Sequence, residues 1–239
     1  MANSTISRSR NGVSIIVCTK RRQCMRTLLH NYKRQNYRNK ELIIILNHDQ
    51  LQVDEYRKAA KPYKNVRVYS LPGRVSLGRC LNYGVRRARY SLIAKFDDDD
   101  YYAAGYLTES VQALLKTKVD IVGKRAHYMY LDGKGLLLLR YPNQANQYVS
   151  LVQGATLLAS RHVLSQVGFP DQNRGECIRL FRNSKARGYR IYSGSTSNFL
   201  AIRRRNSRNH TWIVSDKKLL SGHVKVLKVR NPKTFVSRP

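Results

Sequence analysis

Four aspartates stand in an unbroken run, Asp97-Asp98-Asp99-Asp100, in a chain with only 14 acidic residues. Like charges in a row repel one another unless solvent, a cation or arginines compensate them. Such a run is ordinarily a solvated loop face. Here its flanks are apolar and aromatic, which argues against that reading. Side chains on an extended strand alternate, so Asp97 and Asp99 are expected to share one direction. Paired hard carboxylates suit magnesium or manganese, and a divalent ion between them would neutralise charge building on a departing diphosphate. Asp98 and Asp100, pointing the other way, are expected to cap a helix beginning near Ala103.

The elements around the run must deliver it to a site. Val13–Thr19, Leu42–Leu46, Val66–Ser70 and Ser91–Phe96 are short apolar runs that read as buried strands. Between them Arg22–Gln35, Leu51–Ala60 and Leu77–Ala88 read as helices. Strands alternating with helices imply a mainly parallel sheet, whose ligands lie at the C-terminal strand ends. Thr19, Asn47 and Asp97 are predicted to share that edge.

The second half is mixed. Tyr106–Lys116 and Glu176–Arg187 read as helices, the latter stopped by Gly188. Asp132-Gly133-Lys134-Gly135 between His127–Leu131 and Leu136–Arg140 signals a hairpin. Asp120–Val122, Ala155–Ala159, Ile191–Ser193 and Phe199–Arg203 are expected strands, with Leu219–Leu220 anchoring a basic tail. The expected division is a basic arm at 1–11, one domain at 12–205 with halves of about 12–100 and 101–205, and an extension at 206–239.

At 239 residues and 42% hydrophobic content the chain should fold around one core. Its 45 Lys and Arg give a net charge of +31, a surface that attracts anions. Cys18, Cys24, Cys80 and Cys177 form no CxxC pair, so a zinc knuckle or dithiol centre is not expected. Reduced cysteines and no apolar run near the ~20 residues of a membrane span fit a cytoplasmic protein, peripheral at most to an anionic membrane surface.

Val13-Ser14-Ile15-Ile16-Val17-Cys18-Thr19, Glu41–Leu46, Gly78-Arg79-Cys80-Leu81-Asn82-Tyr83-Gly84 and Phe96–Asp100 occur in the order of the family 2 glycosyltransferases. Gly154-Ala155-Thr156, Val167-Gly168-Phe169 and Gly175-Glu176 leading to Gly188-Tyr189 continue the resemblance to about residue 205. The chain is similar to the Bacillus-type branch associated with spore-surface or cell-envelope polysaccharides. The resemblance implies an α/β GT-A fold, a nucleotide-diphosphate sugar donor such as a UDP-sugar, and a carbohydrate or glycopolymer acceptor. It further implies inversion at the transferred carbon and a divalent cation, Mn or Mg. Carried over by position, Thr19, Arg22, Asn47, Arg79, Asp97 and Asp98 lie at the nucleotide, and Asp99 and His210 at the metal.

Two positions depart from the family. Asn47 replaces a base-reading Asp, and the catalytic Glu-Asp reads Glu176-Cys177. A thiol, with a reference pKa of about 8.5, is a poor proton acceptor in place of a carboxylate. Either Glu176 acts as base, or activity falls, or the chain is a binding scaffold without turnover. A basic nucleic-acid-binding protein is the third reading; the arginines are too dispersed to favour it.

Overall fold

The computed structural model describes residues 12–204 and 214–237. The first half alternates strands β1 (Val13–Thr19), β2 (Lys40–Leu46), β3 (Val66–Ser70) and β4 (Leu92–Phe96) with helices α1 (Met25–Arg34), α2 (Val53–Ala60) and α3 (Leu77–Arg87). Two-residue β5 (Tyr101–Tyr102), α4 (Tyr106–Thr117), β6 (Ile121–Gly123), β7 (His127–Leu131), β8 (Leu136–Arg140) and β9 (Gln147–Tyr148) follow. Then come β10 (Leu158–Ser160), α5 (Arg161–Val167), α6 (Glu176–Ala186), β11 (Ile191–Ser193) and β12 (Phe199–Arg203). Short α7 (Asp216–Leu220), β13 (Val224–Leu227) and α8 (Pro232–Val236) complete the described chain.

The main sheet has the order β3-β2-β1-β4-β10-β6-β11-β9. Its first four strands are parallel, and β10 enters antiparallel between β4 and β6. Both faces of the central strands are covered, so they read as continuous apolar runs. Alternation divides them: Val13, Ile15 and Val17 join Leu42, Ile44 and Leu46 in a core with α1, α2 and α4. Ile16, Ile43 and Ile45 point oppositely, into a core with α3, α5 and α6.

A second sheet, β13-β8-β7-β12-β5, packs beside the first. The expected hairpin is β7 and β8, paired antiparallel, with Gly135 at φ 63° closing its turn. β13 adds to its edge along β8, and Leu219 and Val236 are buried, so residues 214–237 belong to this packing. One expected strand shifts: Gly154–Thr156 is a single 3₁₀ turn, and the strand there is Leu158–Ser160.

Two glycines set how closely α3 approaches. A Cβ on Gly78 would lie 1.8 Å from the Pro170 carbonyl oxygen, and one on Gly84 would lie 2.7 Å from Ile16 Cγ2. The Ser76 hydroxyl caps α3 by accepting from Arg79 N, and it donates to Asp171 at 2.6 Å. The helix is thereby tied to the segment that leads into α6.

Candidate functional site

The acidic run joins the two sheets: β4 ends at Phe96, and Tyr101–Tyr102 pair with β12 of the second sheet. Tyr102 fastens the turn. Its ring stacks on Phe96 at 3.7 Å, and its hydroxyl accepts from Asp97 N and donates to the Ala155 carbonyl, each at 2.8 Å. Asn31 Nδ2 donates to the Asp100 carbonyl at 2.8 Å.

This turn forms one wall of a cleft of about 690 Å³. Thr19, Asn47, Asp97, Asp98, Asp99, Glu176 and Cys177 all line it, joined by Arg21, Lys95, Arg125, His127, Arg140, Tyr141 and Arg203. As expected for parallel strands, Thr19, Asn47 and Asp97 meet at one sheet edge. Arg22 and Arg79 are not among the residues lining the cleft. Arg22 turns to Glu55 at 2.7 Å, and Arg79 is exposed near Asp171 at 3.7 Å. His210 lies outside the described residues.

Each carboxylate of the run has a partner. Asp97 pairs with Lys95, and Arg21 pairs with Asp98 and reaches Asp99 at 2.8 Å. Thr19 donates to Asp98 at 2.5 Å, and Ile202 N donates to Asp100 at 2.9 Å. The expected two-and-two alternation is not what forms, because the run is a turn in which Asp98 and Asp99 share one guanidinium. Nor does the run cap a helix: α4 begins at Tyr106 behind Gly105, with no side-chain cap. Burial pushes the Asp98 carboxyl above its usual range against the pull of Arg21. Burial, with Asp99 and Asp97 nearby, pushes Asp100 further up.

Lys95 is 5% exposed. Burial alone would depress its ammonium. The Asp97 and Glu176 carboxylates outweigh that and hold it above the lysine range. At the start of α6, Cys177 donates through sulfur to Glu176 Oε1 at 3.4 Å. Burial pushes the Cys177 thiol well up, against Lys95, so it stays a neutral thiol. Packing is close there: a Cβ on Gly154 would lie 2.8 Å from the sulfur.

Asn47 Nδ2 donates to the Pro72 and Val75 carbonyls at 2.8 and 3.1 Å. Those two acceptors fix the amide orientation. They leave Oδ1 a buried acceptor without a partner among the described residues.

Asp97 and Asp99 both line the cleft, and carboxylate oxygens suit a hard cation. Among the described residues no group of three or more His, Cys, Asp or Glu is disposed to hold a metal.

Of the residues that sequence reasoning missed, Lys95 had a signal: it is the one charge in the apolar strand Leu92–Phe96, where a buried ammonium needs a partner. Arg21 was one of three consecutive cations at 20–22 with nothing local to distinguish it. Among the described residues no helix is long and apolar enough to cross a membrane.

Residues 14–156 match the family model for glycosyl transferase family 2. The O-antigen biosynthesis glycosyltransferase WbnJ of Escherichia coli is 32% identical over 114 residues, 46% of this chain and 43% of that protein. Mannosyltransferase PcManGT from Pyrobaculum calidifontis, solved with GDP-Man and Mn2+, has a TM-score of 0.63 at 16% identity, covering 82% of this chain and 58% of that one. S. aureus TarS 1–349, solved with UDP-GlcNAc, has a TM-score of 0.61 at 15% identity, covering 82% and 59%. The matches thus span less than two thirds of each relative's length. At these identities the structural likeness establishes the fold, which is α/β of the GT-A type.

Proposed function

This chain belongs to glycosyl transferase family 2, and we propose that it moves a sugar from a nucleotide-diphosphate donor to a hydroxyl of a carbohydrate acceptor, with inversion and assisted by a divalent cation. The observation that carries the proposal is the convergence of Asn47, Asp97, Asp99 and Glu176 on one cleft. Residues 12–100 then form the nucleotide half and 101–205 the acceptor half. A cell-envelope polysaccharide is the acceptor class in keeping with the O-antigen relative.

Asn47 supports the nucleotide half. With both its donors spent on backbone, Oδ1 can accept from a nucleobase N–H, as a carboxylate would. Thr19 and Arg21 brace Asp98 and so shape the loop beneath the ribose and diphosphate. Asp97 and Asp99 would hold Mn or Mg, with His210 a third candidate ligand. The ion, when bound, neutralises charge on the leaving diphosphate.

In the acceptor half Glu176 takes the proton from the attacking hydroxyl. Cys177 cannot, because its buried thiol already keeps its own proton. Glu176 lines the cleft near the buried Lys95, and a carboxylate is a group type that serves as general base. A second reading, a nucleotide-binding scaffold without turnover, is favoured by the same Cys177.

Calorimetry with UDP and GDP, with and without manganese, tests the donor site. Binding should tighten with the ion, and Asp99→Ala should abolish the difference. Binding indifferent to the ion in both proteins refutes cation assistance; no binding of either nucleotide refutes the donor site. Nucleotide binding without turnover of UDP- or GDP-sugars favours the scaffold.

A further inference from the structure

Opposite the acidic turn the cleft has a different character. His127 opens β7, and its cross-strand partner on β8 is Arg140, so the two side chains leave the sheet on one face. His127 Nδ1 lies 2.9 Å from the Arg125 carbonyl oxygen. A carbonyl only accepts, so Nδ1 carries the proton and Nε2 is a bare lone pair. His127 is 2% exposed, and among the described residues Nε2 has no hydrogen-bond partner. Burial, aided by Arg140, Arg125 and Lys124, holds the imidazole down to about 4, so this acceptor persists at neutral pH. Buried acceptors without donors are costly and uncommon.

The surroundings restrict what can answer it. The Arg125 guanidinium lies 3.5 Å from the centre of the Tyr141 ring and Arg140 lies 5.3 Å from it. Tyr141 is held at φ 50°, a left-handed conformation unusual for an aromatic residue. Stacking on an aromatic face keeps a guanidinium planar and oriented. The lining residues from β7, β8 and β12 include no carboxylate; the acids of the cleft are Asp97–Asp100 and Glu176. Two neighbouring cations disfavour a metal ion at Nε2 and favour an anion. The lone pair itself needs a hydroxyl or N–H.

Building on the transferase reading, we propose that this wall binds an acceptor sugar bearing an anionic group beside a hydroxyl. The hydroxyl donates to His127 Nε2, and the carboxylate or phosphate meets the Arg125 and Arg140 guanidiniums. The wall thereby selects acidic acceptors over neutral ones.

The test is nuclear magnetic resonance of the full chain with ¹⁵N-labelled histidine, following the His127 Nε2 resonance. The probes are methyl glucuronoside, glucose 6-phosphate, methyl glucoside, UDP and GDP. One or both acidic sugars should move the resonance in the direction of a lone pair gaining a donor, and which of them acts tells carboxylate from phosphate. Methyl glucoside should need at least tenfold higher concentration. Arg140→Gln should weaken the acidic probe on the order of tenfold or more, while nucleotide binding by calorimetry is unchanged. Equal response to the neutral glycoside, no response to either acidic sugar, or an equal response in Arg140→Gln overturns the proposal. A shift with UDP or GDP alone also overturns it, by assigning the wall to the donor. An acidic-sugar response in a protein that binds neither nucleotide would leave this wall standing and remove the transferase reading.

Discussion

Removing Arg21 tests how the acidic run is tolerated. The side chain is 22% exposed and serves two carboxylates, Asp98 (4% exposed) and Asp99 (11%). In Arg21→Met, Asp98 keeps only the Thr19 hydroxyl among its side-chain partners named above, and its buried charge loses its counterion. Breaking a buried pair on one side costs about 3–5 kcal/mol; the partial exposure of Arg21 argues for the lower end, about 3 kcal/mol. With a urea slope near 3 kcal/mol/M for a chain of this size, the midpoint should fall by about 1 M at pH 7. The loss should depend on pH, and its sign follows from linkage. Asp98 already has a folded pKa above its unfolded value, and losing Arg21 raises it further. A carboxyl shifted upward binds its proton more readily in the folded state, so its penalty is absent below the unfolded value of about 3.9 and grows as pH rises through the folded pKa. Urea titrations at pH 4.5 and 7.5 should therefore give a difference between wild type and variant that is smaller at pH 4.5, by about half or more. An equal loss at both pH values, or a loss below about 1 kcal/mol at pH 7.5, would refute the reasoning.

If Glu176 is the base, Glu176→Gln should lower turnover by roughly 10²–10⁴ while nucleotide affinity by calorimetry stays put, and Cys177→Asp should change little. A large rise in kcat in Cys177→Asp, with Glu176→Gln still active, would instead make the missing carboxylate the limiting group. Gly78→Ala forces a methyl against a backbone carbonyl and should cost about 1–3 kcal/mol in urea unfolding. Gly84→Ala meets only the movable Ile16 side chain and should cost less; the reverse order would show that α3 is not held as described.

The half of the fold that carries the acidic run was legible because its signals are local. β1 and β2 bury both faces, so unbroken apolar runs mark them whatever lies around. The strand ends that bring Thr19, Asn47 and Asp97 together then follow from parallel topology alone. The arrangement within the turn was not legible. Whether Arg21 or Arg22 enters the cleft depends on the direction of the chain leaving Thr19 and on Glu55, 33 residues away, which engages Arg22. His127 was equally hidden: in sequence it is the first residue of an alternating strand, and only the Arg125 carbonyl and Arg140 opposite give its lone pair a meaning. The short β13 was missed because its burial is slight and its pairing with β8 spans most of a hundred residues.

The cysteine at 177, where the resemblance to the family implies an aspartate, is best understood through Lys95. That ammonium lies on the strand that delivers the acidic run, pairs with Asp97, and feels the Glu176 carboxylate. A lysine so deeply buried is tolerated only while carboxylates surround it. With an aspartate at 177 there would be three of them, and two would compete for a charge that one cation cannot fully answer. With a thiol there are two, Asp97 and Glu176, and the thiol's own proton is held toward Glu176 rather than lost. The substitution therefore removes an acid without removing the electrostatic link between the walls. Lys95 still pairs with Asp97. On the proposed mechanism, what changes is that one carboxylate, rather than a choice of two, is left to receive a proton at that wall.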